Sequence, residues 1–177
     1  MRNIDRAHAI DAVDVLNDFI GDFITGVMVL REYSVYFNAD KIPLEMMVGI
    51  QKLCLSNLVL AFAKFKEFWK HYHDIVPMEH RDACKAILKS IRERKITEFR
   101  NRCVGHIWDN DKQRPLANSE IMDALKFMVR SNFDQFLEWI NNPKANTYPL
   151  TVVSVIETVR DTIVEIHNIR PEEIEER

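Results

Sequence analysis

An all-α, single-domain bundle of about five helices follows from three features of this sequence. Glycine and proline are scarce, 4 and 6 among 177 residues, about half the usual share. Apolar residues recur in steps of three and four, the period of one helical face. The prolines stand between those periodic runs rather than inside them. A sandwich or barrel needs a turn every ~8–12 residues, mostly built with glycine or proline, so β architectures are excluded. At this length one hydrophobic core suffices without disulfides or metals.

The first helix spans about 4–37, with Ile10, Val13, Leu16, Ile20, Phe23, Ile24, Val27 and Leu30 on one face. Residues 38–41 end it. Pro43 suits a first helical turn and Glu45 complements the dipole, opening a second helix to about His73. Its Met46, Met47, Ile50, Leu53, Leu58, Phe62 and Phe65 read as core filling. Pro77 opens a third helix, which carries Ala83, Ile87 and Ile91 and then a basic run towards Trp108. Residues 109–118, with Arg114-Pro115, read as a long loop. Ser119 as N-cap, with Glu120 and Asp123 in the first turn, starts a fourth helix to about Ile140, stopped by Asn141-Asn142-Pro143. Pro149 begins the fifth, where Val152, Val155, Ile156, Val159, Ile163 and Ile166 again step by three and four. Glu157, Arg160, Asp161 and Glu165 cluster on the other face, which decides for helix over strand. The domain covers 1–170 and leaves 171–177 as an acidic, frayed tail.

Composition sets the surroundings. Cys54, Cys84 and Cys103 are odd in number and widely spaced, reading as reduced thiols and a cytoplasmic location. Arg2, Asp5, Arg6, Asp11 and Asp14 interrupt the N-terminus where a signal peptide has its apolar region. The longest run free of Asp, Glu, Lys and Arg is the twelve residues 145–156, too short for a membrane helix, so no membrane association is expected. The formal net charge is -3 but unevenly placed: Arg81 to Arg102 holds eight basic and three acidic residues, +5 against -8 for the rest. That segment is either a solvated helix face or an anion-binding surface on an otherwise acidic protein.

Several chemical constellations fail. His71 and His73 are two apart, about 200° round a helix, and His80 lies beyond a proline. Asp109-Asn110-Asp111 with Glu120 imitates a calcium loop, but Arg114 takes the sixth place, where the turn requires Gly. No Gly-rich phosphate loop, nucleophile elbow or Cys-x-x-Cys occurs. Neither metal nor cofactor is expected.

What remains is the segment from Glu98 to Asp109. Arg100, followed directly by Asn101 and separated by five residues from His106, resembles the R-x(4–6)-H signature of the HEPN superfamily. The likeness in residues covers about 96–115; beyond it only the all-helical layout agrees. The resemblance implies a four- or five-helix bundle that dimerises and acts as a metal-independent endoribonuclease in a bacterial toxin–antitoxin or phage-defence system. RNA is then the substrate, and a nucleotidyltransferase-like antitoxin protein a partner. The alternative is a non-catalytic HEPN-like module binding nucleotide, RNA or a partner protein.

The chemistry stands apart from the family name. Cleaving RNA without a metal needs the 2′-OH deprotonated, the leaving 5′-oxygen protonated and the charge at phosphorus neutralised. His106 exchanges protons near neutral pH. Arg100 keeps its charge and presents a fork to phosphate oxygens. Asn101 positions the ribose or orients a partner group. Lys95, Arg94 and Arg102 are the RNA-binding candidates.

In an unbroken helix, residues six apart lie about 240° apart, so Arg100 and His106 would not share a pocket, whereas Arg102 and His106 would. Three resolutions stay open: Gly105 loosens the last turn, two protomers pool their motifs, or Arg102 is the working arginine. The plain structural reading is also open, with Arg100 paired to Glu98 or Asp109, Gly105 a C-cap and His106 bonded to a carbonyl. Asp109 then orients His106 or caps the loop, and Trp108 packs.

Overall fold

The computed structural model describes residues 6–104, 108–109, 113–130 and 132–175. It is an all-α helical bundle, as the periodicity predicts. Gly105 and His106 lie outside the described residues.

Two long antiparallel helices form the spine: α1 (Arg6–Asn38) and α2 (Leu44–Tyr72). Asp40, at φ 54°, turns the chain between them. The Asp40 and Lys41 N–H groups donate to the Phe37 and Tyr36 carbonyls at 3.0 and 2.9 Å, so a Schellman motif satisfies the helix end with Asp in the usual glycine place. Pro43 is the residue before α2 rather than its first turn, in extended backbone. Phe23 packs tilted against Phe62 with ring centres 4.7 Å apart, and Phe19 meets Phe65 and Phe68 edge-on at 6.0 Å. Gly26 lets the helices close, since a Cβ there would lie 2.8 Å from Leu58.

α2 holds an 18-residue window of mean hydropathy 1.6, long and apolar enough by composition to cross a membrane, of which 33% is buried. Counting charge-free residues misses it because Glu45, Lys52 and Lys64 interrupt the run. Met47, Leu58, Phe62 and Phe65 fill the core as expected. Met46 and Leu53 do not; they are exposed.

The third predicted helix is broken. A 3₁₀ turn (Met78–His80) leads into α3 (Arg81–Glu93), the single turn α4 (Ile96–Phe99) and a π turn (Arg100–Val104). Lys95 makes the break in left-handed backbone at φ 53°. Ile91 and Ile96 are five apart, 140° out of phase on a straight helix, yet both are buried. The left-handed residue resets the phase, and burial of Ile96 and Phe99 outweighs its cost of about 1–2 kcal/mol.

Within the predicted long loop, β1 (Trp108–Asp109) and β2 (Arg114–Pro115) form a short antiparallel ladder. Arg114 grips the Glu120 carboxylate with two bonds, at 2.8 and 3.0 Å. The predicted fourth helix is two, α5 (Asn118–Val129) and α6 (Phe133–Ile140). Ser119 is inside α5 and not its cap; Glu120 instead accepts from the Ala117 N–H at 2.7 Å. Arg130, at φ 57°, ends α5, and the Asn132 side chain caps α6 by accepting from Gln135 N at 2.9 Å. Local polar caps here prevail over a continuous helix.

α7 (Val152–His167) packs along α1. It starts after Thr151 rather than Pro149, which follows a cis peptide bond in the preceding turn. Thr151 Oγ1 accepts from Ser154 N at 3.0 Å and Ser154 Oγ from Thr151 N at 3.2 Å, a reciprocal cap. The acidic end is not wholly frayed. α8 (Glu172–Glu175) is a helical turn whose Glu173 accepts from Arg6 at 2.7 Å, while Arg6 also donates to Asn168 O at 3.0 Å.

Candidate functional site

The break at Lys95 splits the basic run into two environments. Upstream, Arg94, one of the RNA-binding candidates, is half-buried and engaged in packing. Its Nη1 donates to Met128 O at 2.9 Å, and its guanidinium lies 4.9 Å from the Trp139 ring and 5.4 Å from Phe136. Burial lowers its pKa, the nearby Arg130 adds to this, and Glu93 opposes it. Arg81 is likewise tied to the chain, donating to Val76 O at 2.9 Å and Asp74 O at 3.2 Å. A positive sequence segment is therefore not wholly a positive surface.

From the break onward, Lys95, Glu98, Arg100, Asn101 and Arg102 face outward. The exposed Lys95 ammonium is 3.5 Å from Glu98 and 5.5 Å from the centre of the Phe127 ring. Arg100, Asn101 and Arg102 are exposed on the π turn, while Cys103 and Val104 pack against the core. Arg100 Nη1 donates to Asn101 Oδ1 at 3.1 Å, so the arginine and its neighbouring amide form one unit. A π turn closes i to i+5 and holds more residues than an α turn. The 240° separation calculated for an unbroken α-helix thus does not apply across residues 100–104. Single π turns recur at functional sites in other proteins.

Phe127 was not singled out by sequence reasoning. It is 52% exposed and borders an open cleft of about 590 Å³ lined also by Glu93, Asp123, Lys126 and Arg130. Arg130 holds Glu93 at 3.0 Å, leaving the aromatic face beside Lys95 as the cleft's apolar part. The signal was readable. Leu125 and Met128 turn inward, and Phe127 falls about 200° from Leu125 on the α5 wheel, an aromatic out of phase with its own helix.

The rejected histidine cluster has a structural explanation at His80. Thr162 donates its hydroxyl proton to Thr158 O at 2.8 Å, so it accepts from His80 Nε2–H at 3.0 Å, and Nδ1 lies 3.1 Å from the Tyr148 hydroxyl. Through these two contacts His80 fastens the start of α3 to α7 and to Tyr148 in the turn before it. Among the described residues, no three of His, Cys, Asp and Glu gather as metal ligands. Cys54, Cys84 and Cys103 form no disulfide, and burial pushes the Cys84 thiol up to about 12, far from a reactive thiolate.

No protein-family model matches this chain, and no curated protein does. The fold and much of the length are nevertheless shared with a solved structure from the mobile metagenome of V. paracholerae, integron cassette protein Vpc_cass2: TM-score 0.74 and 27% identity, over 92% of this chain and 97% of that one.

Proposed function

We propose that the protein is a metal-independent endoribonuclease of the HEPN type in a bacterial toxin or phage-defence system, its Arg100 and His106 motifs pooled in a homodimer. The observation that carries this reading is the π turn, which exposes a hydrogen-bonded Arg100–Asn101 pair immediately ahead of His106 in the chain. Lys95, just before α4, and the Phe127 ring next to that lysine supply what single-stranded RNA asks for, a cation for phosphate and a ring for a base. A likeness to an integron cassette protein from a mobile metagenome is in keeping with a mobile defence gene.

In the reaction, His106 takes the proton of the ribose 2′-OH, and the 2′-oxygen attacks the adjacent phosphorus. The bond to the 5′-oxygen breaks, and that oxygen receives a proton, from the second copy's histidine or from water. Arg100 neutralises the non-bridging oxygens, and Asn101 holds its guanidinium in place. The products are a 2′,3′-cyclic phosphate and a 5′-OH. General acid–base catalysis of this kind contributes about 10²–10⁴-fold.

The test is cleavage of RNA by the purified protein in EDTA, with growth arrest on expression as a second readout. Both should be lost in His106→Ala and Arg100→Ala. Equal cleavage and toxicity in both variants would end the proposal. RNA binding that survives His106→Ala, with no cleavage by wild type, selects the non-catalytic binding module instead. Co-purification of a nucleotidyltransferase-like protein would identify the antitoxin.

A further inference from the structure

The outward face of α2 carries Met46, Gly49, Leu53, Ser56, Leu60 and Ala63. Their spacing is three, four, three, four, three, that of a coiled-coil seam. None is charged. The opposite face, with Met47, Leu58, Phe62 and Phe65, is already buried in the core. Leu53 is 73% exposed and Met46 47%, and a Cβ on Gly49 would meet nothing within 4 Å.

Apolar exposure is concentrated on the α1–α2 pair, with Met46 and Leu53 on this face. Among the described residues, six of the eleven exposed large hydrophobics are Met28 and Val35 on α1 and Leu44, Met46, Val48 and Leu53 on α2. Gly26 against Leu58 and Phe23 against Phe62 fix the register of the α1–α2 pair, which puts Met28 level with Ser56 and Val35 level with Gly49. Single exposed apolar residues need no explanation, whereas an uncharged stripe along one helix, open to solvent at Met46 and Leu53 and half-exposed at Ser56, Leu60 and Ala63, suits an interaction surface.

We infer that this face is the interface with a second copy of the chain, α2 packing antiparallel on α2 about a two-fold axis. The argument is size. An axis level with the Cys54–Leu55 peptide bond sets Met46 opposite the partner's Ala63, Gly49 opposite the partner's Leu60 and Leu53 opposite the partner's Ser56. In every layer a large residue meets a small one, which an isologous interface requires of a single self-complementary surface. Gly49 gives the partner's Leu60 room against the backbone. The inference deepens the ribonuclease reading, because α4 and the π turn pack on α2, so pairing the α2 helices carries both Arg100 segments into one assembly.

Sedimentation over a dilution series tests the interface separately from cleavage. Wild type should be a dimer, and Leu53→Glu should raise the dissociation constant by at least about a hundredfold, since it buries an unpaired carboxylate. Gly49→Met should weaken the dimer while leaving the melting temperature of the protein diluted to monomer unchanged or higher, a combination that misfolding cannot produce. The double variant Met46→Cys with Ala63→Cys should form an intermolecular disulfide that neither single variant forms. The inference is overturned by a monomeric wild type, by a dimer indifferent to Leu53→Glu, by cross-linking of both single variants as efficient as the double, or by flotation of wild type with phosphatidylcholine vesicles in place of dimerisation. A wild-type dimer that never cleaves RNA supports the interface and removes only the catalytic reading.

Discussion

The Arg94 guanidinium stacks 4.9 Å from the Trp139 ring while donating to the Met128 carbonyl. This joins the end of α3 to both α5 and α6. A hydrogen bond from a charged group contributes about 1.5–3 kcal/mol, and the stacked cation adds about 0.5–1 kcal/mol. Arg94→Ala should therefore lower unfolding free energy by about 2–3 kcal/mol in urea. Arg100→Ala, at an exposed site, should change stability by no more than about 0.5 kcal/mol and act on RNA alone. Equal stabilities for the two variants would contradict this division of the basic segment.

Phe127 and Lys95 make the complementary case. Stacking of a base on an aromatic ring is worth about 1–3 kcal/mol by alanine substitution. Phe127→Leu keeps the apolar bulk and removes the π face, and should weaken binding of a single-stranded oligoribonucleotide about fivefold or more in fluorescence anisotropy. Phe127→Trp should retain it and show quenching on RNA addition. The binding should also weaken steeply with salt.

Two glycines of α1 should respond to alanine with opposite signs. At Gly21 an added Cβ meets nothing within 4 Å, so Gly21→Ala should stabilise by about 0.5–1 kcal/mol through helix propensity. At Gly26 it lies 2.8 and 2.9 Å from Leu58 Cδ2 and Cγ, and Leu58 is fully buried. Overpacking of about 1–3 kcal/mol should leave Gly26→Ala the less stable of the two in thermal unfolding.

The C-terminal turn should open in acid. Hydrogen bonds from Arg6 and from the Arg170 N–H hold the Glu173 carboxyl down at about 2. The folded pKa lies below the unfolded value of about 4.3, so the contribution is complete above that value and fades as pH falls towards 2. The methyl resonance of Ile174, which packs against the core, should shift in that window. Glu173→Gln should abolish the transition.

Helices were legible where apolar periodicity ran unbroken. The faces of α1 and α7 were readable residue by residue because Phe23, Val27, Val155 and Val159 keep one phase. Periodicity could not place the breaks at Lys95 and Arg130, because left-handed backbone at a non-glycine residue leaves no compositional mark. Burial across the bundle decides it. The candidate site was legible as chemistry in Arg100 and Asn101, but Arg94 and Lys95, adjacent and both basic, were indistinguishable without knowing that Phe136 and Trp139 lie beneath one and Phe127 beside the other.

The π turn has a consequence for the length of the motif. A π turn is an α turn carrying one residue too many, so it stores slack in the chain between Arg100 and the residues after it. Removing one residue from 101–103 would let an ordinary turn form, and adding one would enlarge the bulge, with Phe99 still anchored in the core in either case. Segments built this way tolerate changes in spacing that a rigid helix would turn into a misdirected side chain, which is a physical reason for an Arg-to-His signature to be written with a variable gap.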